Sequence, residues 1–155
     1  MTALALALAL AAHAHGSEAG PDYLPSGPAA AYLEVERGGQ PQRKLVVMTQ
    51  AVAIRETGPR ETVARFGETY AFSPSFLALE VGVPTEIEFW NLQPDDVHDV
   101  FFVAPDQSVL MHWKLPPLSK IAFTFTFRKA GLYGFVCGLH APEMAGQILV
   151  VPAGT

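Results

Sequence analysis

The sequence predicts an all-β domain arranged as an antiparallel sandwich or barrel. Short apolar segments rich in β-branched and aromatic residues recur along the chain, and turn residues separate them. Residues 121–127 (IAFTFTF) alternate strictly, with phenylalanines on one face and threonines on the other, as in a strand with one buried face. Helical periodicity is weak everywhere except over residues 58–67. Short strands at this spacing are typical of sandwiches and barrels.

These segments define seven expected strands. In chain order they are residues 44–54, 76–81, 85–90, 97–103, 121–127, 132–137 and 146–151. Gly82 and Pro84 mark the turn between the second and third strands, and Gly131 marks the turn before the sixth. Trp90 and the phenylalanines of the fifth strand are expected in the core, because alternate residues of a strand share a face. The chain contains no internal repeat.

Composition narrows the possible functions. The chain has 155 residues, of which 50% are hydrophobic, with one cysteine and a net charge of −5. This length suits one domain with a substantial core. A single cysteine excludes an intramolecular disulfide and any zinc site that needs two thiolates. The acidic balance argues against nucleic-acid binding, which needs clustered Lys and Arg. Residues 66–106 hold eight acidic and no basic residues, so their field can steer a charged partner.

The N-terminal part of the chain is interpreted as a signal and a leader. Residues 1–14 form an apolar run, too short to span a bilayer, that ends in the small-residue pattern of a secretory cleavage site. Residues 15–40 are interpreted as a flexible leader, with a tether, a partner-binding arm and an extra strand as open alternatives. Residues 41–155 form the folded domain. We therefore expect an exported protein, periplasmic or otherwise extracytoplasmic, without stable membrane insertion.

Residues 134–146 concentrate metal-ligand residue types. Cys137, His140 and Met144 follow one another with the spacing C-x2-H-x3-M on a loop between two expected strands, and His98 lies 39 residues upstream of the cysteine. A thiolate, two imidazoles and a weak thioether are the donor set of an electron-transfer copper site. Each residue alone is more often a core or surface side chain. Their combination at this spacing favours copper.

At these residues the sequence resembles the cupredoxins, or blue copper proteins, such as plastocyanin, amicyanin and pseudoazurin. The resemblance covers residues 70–152. Its motifs are F-x-P at 72–74, the turn at Gly82, Asn91 before the first histidine, G-x-Y at 131–133 and the closing pattern at 146–150. Residues 124–146 also look like the copper domain of cytochrome oxidase subunit II. That domain uses two cysteines, so the single Cys137 implies a mononuclear site.

The resemblance implies a Greek-key fold and one copper ion per chain. His98, Cys137 and His140 would be the equatorial ligands and Met144 the axial one. The implied function is a mononuclear type 1 copper protein, a monomer without enzymatic turnover, that carries single electrons between extracytoplasmic redox partners such as a c-type cytochrome or a terminal oxidase. The alternative is copper storage or delivery for a copper oxidase. A small copper oxidase or reductase is disfavoured, because Met144 would fill the position such an enzyme keeps open.

The same motif suggests how a partner would meet the protein. His98 is expected to be the deeper imidazole and His140 the more exposed one, which would act as the electron port. Small and apolar residues at 138–142 would form a docking patch around it. The acidic residues Asp95, Asp96 and Asp99 would steer a basic partner.

Two local features complete the prediction. Asp99 stands where plastocyanin-like proteins often have an asparagine that ties the two ligand loops together. An ionised Asp99 accepts hydrogen bonds but donates none, so we expect loop rigidity to be supplied differently. Met111, His112 and Trp113 are expected in a loop near the sheet end, with an exposed imidazole and no metal role.

Overall fold

The structure is a computed structural model that describes residues 23–154. Within these residues lie ten strands in two five-stranded sheets. The strands are β1 (Leu33–Glu36), β2 (Arg43–Ala53), β3 (Thr69–Ser73), β4 (Phe76–Glu80), β5 (Thr85–Trp90), β6 (His98–Val103), β7 (Val109–Leu115), β8 (Lys120–Phe127), β9 (Gly131–Val136) and β10 (Ala145–Val151). One α-helix, α1 (Arg60–Phe66), and two 3-10 helices, Gly27–Ala31 and Gly138–His140, complete the described part. The expected signal peptide, residues 1–14, lies outside it.

The predicted all-β sandwich is confirmed. The first sheet has the order β1-β8-β5-β2-β3 and the second β4-β10-β9-β6-β7. Most neighbouring strands are antiparallel, but β2–β5 and β4–β10 are parallel pairs. β4 and β5 follow one another in the chain but lie in different sheets. The chain crosses from one sheet to the other at Gly82, whose φ of 78° suits glycine and whose N–H donates to the Phe127 carbonyl at 2.8 Å.

Aromatic side chains fill the space between the sheets. The alternation in β8 places Phe123, Phe125 and Phe127 in the core, as predicted, and each is buried. Phe125 stacks on Phe102 of the opposite sheet at a ring-centroid distance of 5.2 Å. Because aromatic pairs add directional contacts to the burial of apolar area, this layer fixes the spacing of the two sheets.

The expected flexible leader over residues 15–40 is wrong for residues 33–36. These residues form β1, which pairs with β8 from Leu33↔Phe127 to Glu36↔Thr124, and Leu33 is fully buried. The extra-strand alternative is therefore correct for this stretch. Four residues are too few to show a strand period, and the strand exists because β8 offers it an edge with which to pair.

The expected loop at Met111, His112 and Trp113 is also wrong. These residues lie inside β7, and all three are buried, so the His112 imidazole is not exposed. Alternation is lost because four consecutive residues of β7 are buried. Tyr23 contributes to this burial, because it forms an isolated β-bridge with His112 at the outer edge of β7.

Strand directions bring several loops to one end of the sandwich, which we call the top. β5 ends there at Trp90, opposite Lys120 at the start of β8, and β6 begins there at His98, opposite Leu115 at the end of β7. The loop between β9 and β10 reaches the same end, since Val136 pairs with Phe101 of β6. The top therefore gathers the residues that the sequence singled out.

Candidate metal centre

The predicted ligands lie at the top of the sandwich on two segments of the chain. His98 is the first residue of β6, whereas Cys137 directly follows β9 and His140 ends the short 3-10 helix. The loop that carries the last two closes through backbone hydrogen bonds. Cys137 N donates to Met144 O at 2.9 Å, and Met144 N donates to His140 O at 3.0 Å. Met144 is fully buried at the base of this loop.

Three side-chain donor atoms converge on one point. Cys137 Sγ lies 3.4 Å from His140 Nδ1 and 3.8 Å from His98 Nδ1, and the two Nδ1 atoms are 3.1 Å apart. A point equidistant from all three lies about 2 Å from each, which is the length of a metal–imidazole bond. The donor set therefore fits a metal ion bound in a trigonal arrangement by two imidazole nitrogens and one sulfur.

A glutamine orients His98 for this role. His98 Nε2 lies 3.0 Å from Gln93 Oε1, and the same oxygen accepts a hydrogen bond from the Thr49 hydroxyl. Because a carbonyl oxygen only accepts, His98 carries its proton on Nε2, and the lone pair of Nδ1 points to the metal position. Sequence reasoning missed Gln93 and Thr49, since neither has a local signal that connects it to His98.

Burial keeps the two imidazoles neutral and the thiol protonated when no metal is bound. Desolvation, together with the charge of His140, lowers the pKa of His98 to about 4. Burial also lowers the pKa of His140, and it raises the pKa of the Cys137 thiol to about 11. The imidazole lone pairs are thus available at neutral pH, whereas the thiol must release its proton to bind a metal.

The lowered pKa of His98 predicts acid-sensitive stability of the metal-free protein. An unfolded histidine binds a proton near pH 6.5, but folded His98 does so only near pH 4, so the unfolded state binds more protons between these values. The free energy of unfolding should therefore fall by about 2–3 kcal/mol between pH 6.5 and pH 4 on account of this group. Urea denaturation at several pH values measures it. The His98→Gln variant should show a shallower pH dependence, and an equal slope would contradict the prediction.

Asp99 ties the two ligand segments together. Its Oδ1 accepts from the backbone N–H of Gly138 at 2.7 Å and from that of Leu139 at 3.4 Å, while its Oδ2 lies 3.1 Å from His112 Nε2. The expectation that loop rigidity comes from elsewhere is therefore wrong, because an acceptor can tie the loops when the donors are backbone N–H groups. Asp99 is only 4% exposed, so its expected role in steering a partner at the surface is also wrong.

The two histidines differ in exposure as predicted. His98 is fully buried, whereas His140 is half-buried, and Leu139 beside it is 54% exposed. Tyr70 of β3 covers the inner side of both rings, at centroid distances of 5.1 Å from His98 and 4.6 Å from His140, and its hydroxyl donates to Asp96. The sequence did not indicate Tyr70 as a neighbour of the site.

Several solved structures share the architecture that carries this site. Auracyanin B is similar to the chain with a TM-score of 0.54 and 16% identity, over 79% of this chain and 99% of that one. A dithionite-reduced auracyanin from Roseiflexus castenholzii is similar with a TM-score of 0.53 and 16% identity, over 73% of this chain and 100% of that one. The protein has a cupredoxin fold. The fold that the sequence resemblance implied is thus confirmed.

The cupredoxin fold also occurs within larger chains. A multicopper oxidase from Campylobacter jejuni is similar to 74% of this chain with a TM-score of 0.53 and 11% identity, and the match spans 31% of that oxidase. No protein-family model matches the sequence, and no curated protein matches it. At these identities the likeness to solved structures concerns the fold, so the function must be argued from the site itself.

Proposed function

We propose that the protein is a mononuclear type 1 copper protein that carries single electrons between extracytoplasmic redox partners. His98, Cys137 and His140 would hold one copper ion per chain, and Met144 is the proposed fourth ligand. The observation that carries this proposal is the convergence of one thiol sulfur and two Nδ1 atoms at mutual distances of 3.1–3.8 Å. Copper bound by this donor set supplies a one-electron couple.

The chain's own residues contribute position and exclusion of water. Gln93 fixes His98 through a hydrogen bond at His98 Nε2, and Asp99 fixes the ligand loop by accepting from Gly138 N. Burial of Cys137, His98 and Met144 keeps solvent from the site. A fixed, dry site needs little reorganisation when an electron arrives or leaves, which favours rapid transfer.

His140 is the proposed electron port. Its ring is half-buried, and the residues beside it, Leu139, Ala141 and Pro142, are exposed and apolar or small. A patch of this kind suits brief, weak encounters with another redox protein. Among residues 23–154, no helix has the length and apolarity needed to cross a membrane. The proposed partners are redox proteins such as a c-type cytochrome or a terminal oxidase.

Asp95 and Asp96 are predicted to steer a basic partner. Asp95 is exposed and Asp96 half-buried on the loop before His98. Their double replacement by asparagine should slow electron exchange with a basic c-type cytochrome by roughly three- to tenfold at low ionic strength, and the difference should vanish at high salt. Stopped-flow kinetics measures both rates.

The matched control for steering changes the same charge at the opposite end of the sandwich. Glu34 and Glu80 lie away from the top and form exposed ion pairs with Arg128 and Arg43, so their replacement by glutamine costs little stability. The Glu34→Gln/Glu80→Gln variant should keep at least half of the low-salt rate. Equal slowing in both double variants would reject steering by the acidic loop.

Copper loading separates the proposed function from its alternative. The purified protein is titrated with Cu(II), and the visible spectrum and midpoint potential are recorded. An intense thiolate-to-copper band with one copper per chain and a reversible potential supports electron transfer. Rapid loss of copper to a chelator after reduction would instead favour copper delivery, and catalytic oxygen consumption with a reducing substrate would favour an enzyme. Failure to bind copper with a visible band would overturn the proposal.

A further inference from the structure

A buried histidine outside the proposed ligand set contacts the metal site indirectly. His112 on β7 is 3% exposed and stacks on Phe101 at a centroid distance of 4.1 Å and an interplanar angle of 22°. The backbone of His112 forms two hydrogen bonds with Tyr23. Tyr23 N donates to His112 O at 2.9 Å, and Tyr23 O accepts from His112 N at 3.3 Å. The imidazole therefore has a fixed place and a fixed orientation.

His112 meets the carboxylate that links the two ligand segments. Its Nε2–H donates to Asp99 Oδ2 at 3.1 Å, while Asp99 Oδ1 accepts from Gly138 N at 2.7 Å. Asp99 directly follows His98, and Gly138 directly follows Cys137. The chain of contacts thus runs from β7 through one carboxylate to both segments that carry the ligands.

Packing leaves the ligand loop little room to compensate for loss of this contact. A Cβ atom at Gly138 would lie 2.6 Å from Cε2 of Phe101, so the loop rests directly on the ring that His112 stacks against. A buried carboxylate that loses a donor must find another or be displaced toward water. Displacement of Asp99 would withdraw the acceptor from the N–H groups of Gly138 and Leu139.

We propose that His112 is a positioning residue of the metal centre. By donating to Asp99 it fixes the carboxylate, and the carboxylate fixes the loop between Cys137 and His140. The part of this inference that concerns copper rests on the proposed function, whereas the part that concerns the loop stands on the metal-free protein.

Two substitutions separate the imidazole's hydrogen bond from its ring. His112→Phe keeps an aromatic ring on Phe101 but removes the donor, whereas His112→Gln keeps a donor near the Nε2 position but removes the ring. Amide hydrogen exchange of Gly138 and Leu139 in the metal-free protein should accelerate at least about tenfold in His112→Phe and stay within about threefold of the original rate in His112→Gln. In the copper-loaded protein, loss of copper to a Cu(I) chelator should be at least about fivefold faster in the phenylalanine variant only, with a shifted thiolate-to-copper band.

Trp113→Phe is the matched control. Trp113 is the next residue of β7, is fully buried, and has an indole Nε1 without a hydrogen-bond partner in the described part of the chain. This variant should lower global stability without changing amide exchange at Gly138 relative to exchange at the residues of β9. If His112→Phe does not fold, the His112→Phe/Asp99→Asn variant removes the unpaired buried charge, and exchange at Gly138 should still be at least about threefold faster than in Asp99→Asn alone.

Three outcomes would overturn the inference. The first is that amide exchange at Gly138 is unchanged in the variants that lack the His112 donor. The others are that His112→Phe and His112→Gln accelerate this exchange equally, or that Trp113→Phe accelerates it as much as His112→Phe. Failure of the original protein to bind copper would reject the proposed function but leave the exchange measurement valid. The two failures are therefore distinguishable.

Discussion

Cys137→Ser is expected to remove the thiolate-to-copper band and to lower copper affinity by at least about a thousandfold. Cys137 Sγ is one of the three donor atoms that converge at the site, and it is fully buried. A serine hydroxyl does not ionise near neutral pH, so the variant would offer copper two neutral imidazoles and no anionic sulfur. Visible absorption and competition with a chelator measure the band and the affinity.

The cysteine variant must be shown to fold before this result is interpreted. Serine is close to cysteine in size, so the metal-free variant should keep its circular dichroism and lose no more than about 2 kcal/mol of stability, the cost of one buried hydroxyl. A Cys137→Ser protein that kept both the band and the affinity would contradict the assignment of the site.

Two methionines allow a matched test of the axial ligand. Met144 and Met111 are both fully buried, but only Met144 belongs to the ligand loop. Met144→Leu should keep the coloured site while changing its midpoint potential, because an axial ligand tunes the potential of such a centre. Met111→Leu should change neither colour nor potential, and an equal shift in both variants would remove the axial role from Met144.

The strands that sequence reasoning found are those whose residues alternate or form long β-branched runs. β8 shows this best, because three phenylalanines on one face meet the opposite sheet. β1, β3 and β7 were missed, and for β1 and β7 the physical reason is clear. β1 has four residues and depends on pairing with β8, and four consecutive buried residues hide the period of β7. In both strands the deciding contact comes from a distant part of the chain.

The candidate site also has features that local sequence predicts and features that depend on distant contacts. The ligand types at 98, 137, 140 and 144 could be singled out because donor chemistry and loop spacing are local properties of the sequence. The hydrogen bonds that hold the ligands in place could not be predicted. The hydrogen bond from Gly138 to Asp99 spans 39 residues and that from His112 to Asp99 spans 13. Such contacts depend on which strands become neighbours, so no local pattern predicts them.

Gly146→Ala is expected to lower the free energy of unfolding by about 3 kcal/mol or more. Gly146 pairs with Phe135 across β10 and β9, and a Cβ atom there would lie 2.7 Å from Cε1 of the Phe135 ring and closer still to Cε2 and Cζ. The ring cannot move aside, because it is fully buried and packs against Phe72 at 5.2 Å and Phe89 at 5.9 Å. Urea denaturation of the metal-free protein measures the loss.

Gly134→Ala is the matched control, because it adds the same methyl group to the neighbouring strand. Gly134 pairs with Gln147, one residue along from the Gly146 pair, and its added Cβ would meet Val103 Cβ at 3.8 Å, an ordinary van der Waals contact. Neither glycine has a positive φ, so backbone strain does not distinguish them. This variant should change stability by less than about 1 kcal/mol. Equal losses of stability in the two variants would mean that β10 shifts to accommodate the added methyl group.

Met144 lies two residues before Gly146. If β10 is displaced in Gly146→Ala, the midpoint potential of the copper site should therefore also shift, whereas Gly134→Ala should leave the midpoint potential unchanged.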